Sequence, residues 1–461
     1  MIQYTDLHWR YLVRGITQHT LLYTEMTMSN TLIHNPSVLH TFIGHSDVEH
    51  PLALQLGGNS AESLGEASYL ACSFCPDWHS INLNCGCPSN KALSQGFGAE
   101  LMLDAENTRQ CVYSMVRKSS VPVTVKCRLG AIPGLDTHEQ LVHFITSVKS
   151  AGCSHIIMHA RDCMLKGLSP AQNRTVPPLR YDDVARLREE FPDMDFTLNG
   201  GVASLEQARQ FLPHYYDMSH TETENPLQGI MVGRAAYANP WILADADSLL
   251  FHQPDMHHTR RQVLERYLTY CDALENDSSR YYNTTACIKP LHNFFAGAGN
   301  FQTQYKRKLD GLLKGKTIGP PSNRDLKKAG IQGEGRPGHA GGGSGGENDF
   351  HDADTTKIVT SSYIGDDTED DSLELKAGTI RKVVEAAILD TIPASFLDED
   401  PTTTRHLSDK EIRASHGEYI PVANSGFADS ISCGGYDVTG AGTETTAYSV
   451  FQHMRNDCYE K

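Results

Sequence analysis

Seven short apolar runs, set roughly 25 to 40 residues apart, constrain the fold of this 461-residue chain more than any other feature. They are Leu21–Met26 (LLYTEM), Leu52–Leu56 (LALQL), Ser80–Asn84 (SINLN), Val121–Lys126 (VPVTVK), His155–His159 (HIIMH), Asp195–Leu198 (DFTL) and Gly229–Val232 (GIMV). Runs that are apolar along their length, rather than alternating, suit parallel strands buried on both faces, and the helical stretches between them complete βα units. The pattern predicts an α/β fold of the (β/α)8 TIM-barrel class. An eighth strand would have to precede Leu21, where Met1 opens on a polar, helix-like segment. The expectation is therefore a truncation that has removed the barrel's first strand.

After Trp241 the pattern turns helical. Asp245–Asn276 and Thr284–Leu313 carry apolar residues at a spacing of 3–4, interrupted at Pro290 and Gly297. Lys289, Lys306, Arg307, Lys308, Lys314 and Lys316 interleave there with Phe294, Phe295, Phe301 and Tyr305. Such a stretch reads either as a solvated helix face or as a basic, aromatic surface for an RNA backbone. From about Gly315 to Leu375 periodicity is lost through PGHAGGGSGG and the acidic run DDTEDDSLE, as in a low-complexity linker. It returns at Thr379–Phe396, where Ile380, Val383, Val384, Ala387 and Ile388 share one helix face. The expected division is a barrel over 1–242, a helical domain over 243–314, a disordered insertion over 315–378, a terminal helix over 379–401 and a disordered tail over 402–461.

The formal net charge of −16 argues at first against a nucleic-acid partner. Its distribution reverses the argument: from Glu347 onward there are 23 acidic and 9 basic residues (−14), leaving 33 acidic and 31 basic residues (−2) before it. The acidity belongs to the tail, and the remainder has room for a local basic face. Twelve cysteines without a regular framework fit a reducing compartment, and an intracellular protein is expected, in cytoplasm or organelle. No apolar run approaches the roughly 20 residues that span a bilayer, and residues 1–20 lack a secretory pattern. Cys72, Cys75, Cys85 and Cys87 read as C-x2-C followed by C-x-C; the second spacing is poor for structural zinc, and no metal centre is expected.

A parallel barrel presents its chemistry at the C-terminal ends of its strands. In order, those ends carry Gln55 before Gly57-Gly58, Lys126 and Arg128 alternating in VKCRLG, His159, Asn199-Gly200-Gly201, and Gly233-Arg234. The last two resemble the phosphate grip that barrels build after strands 7 and 8. Cys87, in INLNCGCPS, follows a strand and precedes a loop with Gly96 and Gly98; it reads as a small buried hydrophobe or as a partly exposed thiol able to deliver a proton.

With YTEM, HPLALQLGG, INLNCGCPS, GFGAELM, VPVTVKCRLG, HARDCMLKGLSPAQNRTVPPL, NGG and MVGRAAYANPW in this order, the chain resembles the tRNA-dihydrouridine synthases, specifically the A subfamily, from Met1 to about Asp310. The Thr379–Pro401 stretch resembles that family's last helix. The resemblance implies FMN as cofactor, NADPH as reductant, and D-loop uridines around position 20 of tRNA as substrate. It implies that Gln55, Lys126, His159, Asn199, Gly200, Gly201, Gly233 and Arg234 hold FMN, with Lys126 at the pyrimidine edge of the flavin. It implies that Asn84 contacts the substrate base, and that Arg174 and Lys306 contact the RNA. On this reading hydride passes to C6 of the uracil while Cys87 protonates C5 from the opposite face. Ala171 departs from the subfamily, where a lysine contacting RNA is usual, and the family's first strand with its Ala-Pro is lacking ahead of Met1. No partner beyond tRNA and NADPH is implied, and a monomer is expected.

Two other readings compete. Another FMN-barrel pyrimidine reductase would keep the barrel, Lys126 and the phosphate grip, but would have no use for a basic helical appendage. A tRNA-binding protein that has lost catalysis would have no use for Cys87 together with Lys126 and His159.

Overall fold

The computed structural model of the chain describes residues 1–131, 137–212, 227–277, 283–314, 379–389 and 391–399. The expected insertion over 315–378 and tail over 402–461 lie outside them.

Seven strands form one sheet: β1 (Leu22–Met28), β2 (Leu52–Gly57), β3 (Ser80–Asn84), β4 (Val123–Arg128), β5 (His155–His159), β6 (Asp195–Asn199) and β7 (Gly229–Met231). All neighbours pair in parallel and the order is sequential, β1 through β7, which is the winding of a (β/α)8 barrel, here with seven strands among the described residues. Each expected run is a strand, with ends shifted by no more than a few residues. The apolar runs are the cause: Leu52, Ala53, Leu54 and Leu56 of β2, Ile81 and Leu83 of β3, and Ile156, Ile157 and Met158 of β5 are all sealed from solvent.

The helices in chain order are α1 (Leu7–Val13), α2 (Ser29–His34), α3 (Leu39–Ile43), α4 (Ala61–Phe74), α5 (Asn90–Ser94), α6 (Ala105–Lys118), α7 (Thr137–Ser150), α8 (Tyr181–Glu190), α9 (Leu205–Phe211), α10 (Arg234–Ala238), α11 (Ala246–Phe251), α12 (Arg260–Asn276), α13 (Thr284–Ile288), α14 (Asn300–Lys314), α15 (Thr379–Leu389) and α16 (Ala394–Leu397). Their starts are written in the sequence as side-chain caps. Ser60 accepts from the N–H of Ser63 ahead of α4, and Asp104 from that of Asn107 ahead of α6. No helix among the described residues is long and apolar enough to cross a membrane.

Below the strands, polar groups tie the chain together. Arg10 pairs with Glu49 at 2.7 Å, both buried. The Arg14 guanidinium donates to the carbonyls of Thr17, Gln18, Thr20, Glu49 and Pro51. Asp247 accepts from Thr17 Oγ1 and from the N–H groups of Gln18 and His19. A buried charge is tolerable only when so fully satisfied.

The chain forms two compact units. The first comprises Met1–Tyr267 and Pro290–Gly299 together with 394–399 of the described residues; the second comprises Leu268–Lys289 and the described part of Asn300–Pro393. Two helical expectations need correction. The stretch Asp245–Asn276 is not continuous: His252 takes a left-handed φ of 53° and ends α11, and α12 restarts at Arg260. Phe294, Phe295 and Tyr305, which either reading of this stretch would leave at the surface, are fully buried, and of the four aromatics only Phe301 is exposed. An aromatic ring gains more by leaving water than by waiting for a base, so the core takes it. In the second unit Ile380, Val383, Val384, Ala387 and Ile388 are all buried, as their helical spacing implies, and Arg381 on the same helix pairs with Asp272 at 2.7 Å.

Candidate active site

Strand register assembles the site. Gln55 stands opposite Asn82, Asn84 opposite Lys126, Arg128 opposite His159, and His159 opposite Asn199. Residues two apart on a strand share a side, so Gln55, Asn82, Asn84, Lys126, Arg128, His159 and Asn199 all project to one side of the sheet. Among them runs a hydrogen-bond ladder. Asn84 Nδ2 donates to Gln55 Oε1 (2.9 Å), Gln55 Nε2 to Asn82 Oδ1 (2.9 Å), and Asn82 Nδ2 to Thr124 Oγ1 (2.9 Å). Asn82 and Thr124 are members of this ladder that lie outside the expected site residues. The signal was present in SINLN, where period two puts Asn82 on the same side as Asn84.

Cys87 lies just past the end of β3 and is half-buried. Asn84 Oδ1 accepts from the N–H groups of Gly86 (3.1 Å) and Cys87 (3.0 Å), and the thiol reaches Ser89 Oγ at 3.5 Å. Gly98 closes over it with a φ of 69°, and a Cβ there would stand 2.6 Å from the Cys87 carbonyl oxygen. The cysteine loop is thereby held at both ends. The other three cysteines of the possible metal pattern do not join it: Cys72 and Cys75 lie before β3 begins, at the opposite end of the strand, and Cys85 is wholly buried.

Positive charge converges on the strand ends. Lys126 is pushed down to about 8, first by burial and then by Arg128, with the thiols of Cys127 and Cys87 acting the other way. Burial holds His159 well below the ordinary imidazole value, reinforced by Arg128, Lys126, Arg161 and Arg234. His159 is therefore neutral at pH 7, with one nitrogen to donate and one to accept. Arg161, outside the expected site residues, is lowered to about 10, chiefly by burial, and its Nε has no protein partner. Its Nη1 donates to the carbonyl of Pro177. Arg128 is a joist: Nε donates to Gly86 O (3.1 Å), and Nη1 to Asp162 O (3.2 Å) and Asn173 O (2.8 Å).

The remaining expected residues close the far side. Asn199 Nδ2 donates to Met231 O at 2.8 Å. Gly200 and Gly201 take φ values of 117° and 74°, and a Cβ on Gly200 would stand 2.7 Å from His159 Cδ2. Only glycine fits there, on both conformational and steric grounds. Gly233 leads into α10, and Arg234 Nη2 donates to the carbonyl of Arg174 at 3.3 Å. Arg174 itself is exposed and acts electrostatically on Arg128 and Arg234, so it borders the same cluster. Lys306 is carried by α14 in the second unit, half-buried, its ammonium lowered by burial against the opposing effect of Asp310.

A barrel mouth with crowded cations, a neutral imidazole, an amide ladder and a glycine cradle defines a site for a flat, anionic ligand. Among the described residues, the charged side chains acting on His159 are all cationic, Arg128, Lys126, Arg161 and Arg234, and Arg128 acts on Lys126 as well. Comparison with known proteins narrows the class. The family model for dihydrouridine synthase matches residues 1–317, and the chain belongs to that family. A tRNA-dihydrouridine(20/20a) synthase of Synechocystis is 39% identical over 295 residues, covering 64% of this chain and 83% of that protein. The proteins of the same name from Shewanella oneidensis (40% over 298 residues, 65% and 84% covered) and Xanthomonas campestris (41% over 273 residues, 59% and 76% covered) are comparably similar.

Proposed function

We propose that the chain is a tRNA-dihydrouridine synthase that reduces a D-loop uridine around position 20, using FMN and NADPH. The observation that carries this is the juxtaposition of a half-buried thiol with the cation cluster: the loop bearing Cys87 is tied to Arg128 through the carbonyl of Gly86, and Asn84, which accepts from the N–H of Cys87, stands opposite Lys126.

The residues fit FMN. Arg161 Nε is buried without a protein partner, and the cradle at Gly200 and Gly201 admits no Cβ. Gly200, Gly201, Gly233 and Arg234 would hold the phosphate through backbone donors and charge, with Arg161 beside them. Gln55, Asn199 and the neutral His159 would hydrogen-bond the ring system, and Lys126 would favour an anionic form of it. The chemistry FMN supplies when bound is delivery of a hydride, taken from NADPH, to C6 of the uracil.

The chain's own work is positional and protonic. Cys87 gives its thiol proton to C5, for which it must be protonated beforehand, unlike a cysteine nucleophile. Ser89 and Gly98 hold that thiol in place. Asn84, already braced by Gln55 and by the Cys87 loop, would orient the base. The uridine has to leave its stack at a cost of a few kcal/mol. Contacts from Arg174 and from the second unit, which carries Lys306, would offset that cost.

The test is incubation with unmodified tRNA, FMN and NADPH, with dihydrouridine mapped by mass spectrometry. A D-loop product near position 20 supports the reading. Turnover of free uracil instead would place the chain among the other pyrimidine reductases, and a colourless protein that binds tRNA without turnover would make it a binding protein.

A further inference from the structure

At the opposite ends of β2 and β3 from Cys87, three metal-ligating side chains converge. One ligand atom from each of His45, His50 and Cys75 lies within 4.8 Å of the other two, and all three residues are half-buried. His50 closes the connection from α3 into β2, and Cys75 follows α4 on the way into β3. This is a donor set that the four-cysteine pattern could not foreshadow, because it needs two histidines from another βα connection.

Two observations beyond proximity point to a cation. His45 Nδ1 stands 3.0 Å from the carbonyl of Ile43, so that nitrogen is the donor and Nε2 is left as the free lone pair. A backbone carbonyl on the far nitrogen is the usual outer support of a metal-bound imidazole. The connection bearing the histidines is also rigid. Glu49 accepts from Ser46 N and from Arg10, and Trp78 packs against His45 with ring centroids 4.4 Å apart.

We propose that His45, His50 and Cys75 bind a zinc-class divalent ion, with water in the fourth position. Tetrahedral zinc holds nitrogen and sulfur ligands roughly 3.3–3.8 Å apart, so side-chain rotations of about 1 Å complete the site. The thiolate offsets one of the ion's two charges, and the imidazoles supply neutral nitrogen donors. The site lies about 15 Å along β3 from Cys87, on the face of a barrel that serves stability rather than chemistry. Its role is to clip the connection into β2 to the connection into β3, and it runs against the sequence-level expectation of no metal centre.

The test uses the full chain, stripped with a chelator under a non-chelating reductant and then dialysed against Zn2+ or Co2+. One Zn2+ is retained per chain. Co2+ gives tetrahedral d–d bands and a thiolate charge-transfer band, and the thermal midpoint rises by roughly 5–10 °C at a hundredfold excess over Kd. Cys75→Ser removes the charge-transfer band, and it and His50→Gln each weaken binding by at least about 100-fold. Neither substitution changes uridine reduction at room temperature. Absence of stoichiometric binding at tens of micromolar Zn2+ overturns the proposal. So does a thiolate band that survives Cys75→Ser but vanishes in Cys87→Ser, which would put the ion at the mouth.

Discussion

Arg128 on β4 donates through Nη1 to the carbonyl of Asn173 at 2.8 Å, while its Nε donates to Gly86 in the loop that carries Cys87. One guanidinium thus couples the thiol to the Asp162–Arg174 segment, in which the buried Asn173 also accepts from Met164 N through Oδ1. Replacing Arg128 by Met should strand three carbonyl acceptors at a cost of about 3 kcal/mol. Chemical denaturation would measure that loss. Under conditions where the variant stays folded, kcat should fall along with a rise in KM for tRNA, since both loops lose their common anchor.

Cys87→Ala removes the proton donor without touching the cation cluster. Stopped-flow reduction of FMN by NADPH should be unchanged, while single-turnover uridine reduction slows by about 10²–10⁴, the usual worth of a positioned acid. Equal loss in the two half-reactions would remove Cys87 from the role.

Gly200→Ala sets a Cβ against His159 at a φ of 117°. Strain of about 1–3 kcal/mol and displacement of the imidazole should follow. The measurable outcome is a protein that retains its far-ultraviolet spectrum but fails to hold flavin through gel filtration. Gly311, with nothing near its Cβ position, is the matched control.

Lys126 yields two opposed pH slopes. Its folded value of about 8 lies below the ordinary 10.5, so the unfolded chain binds more protons between them. Stability of the flavin-free protein should therefore rise from about pH 8 toward 10.5, with the full penalty present below pH 8. Affinity for FMN should run the other way, constant below about pH 8 and weakening above it as the charge is lost. Lys126→Met should stabilise the flavin-free protein by about 2 kcal/mol while weakening FMN binding. Calorimetry across this pH range reads both effects, and parallel slopes would rule out the assignment.

Arg174→Ala removes an exposed cation that takes no part in the ladder among Gln55, Asn82 and Asn84. It should weaken tRNA binding about tenfold at moderate salt and reduce the salt dependence by about one phosphate contact, leaving the flavin spectrum intact.

The strands, their sequential parallel order and the polar residues at their ends were legible in the sequence. Each rests on a local signal: an unbroken apolar run, a helix cap, or a glycine at a turn. The face of β5 and β6 that carries His159 and Asn199 follows from period two alone. What no local signal carried was the meeting of side chains distant in sequence. Arg128 finds Gly86 and Asn173, Asn82 finds Gln55 and Thr124, and Cys75 finds His45 and His50 only after the βα connections have folded back along the sheet. The burial of Phe294, Phe295 and Tyr305 was likewise decided by packing, because an alternation of basic and aromatic residues has the same spelling whether the rings face water or the core. Periodicity is a property of neighbours in the chain, whereas a site is a property of neighbours in space, and only the tertiary fold converts the one into the other.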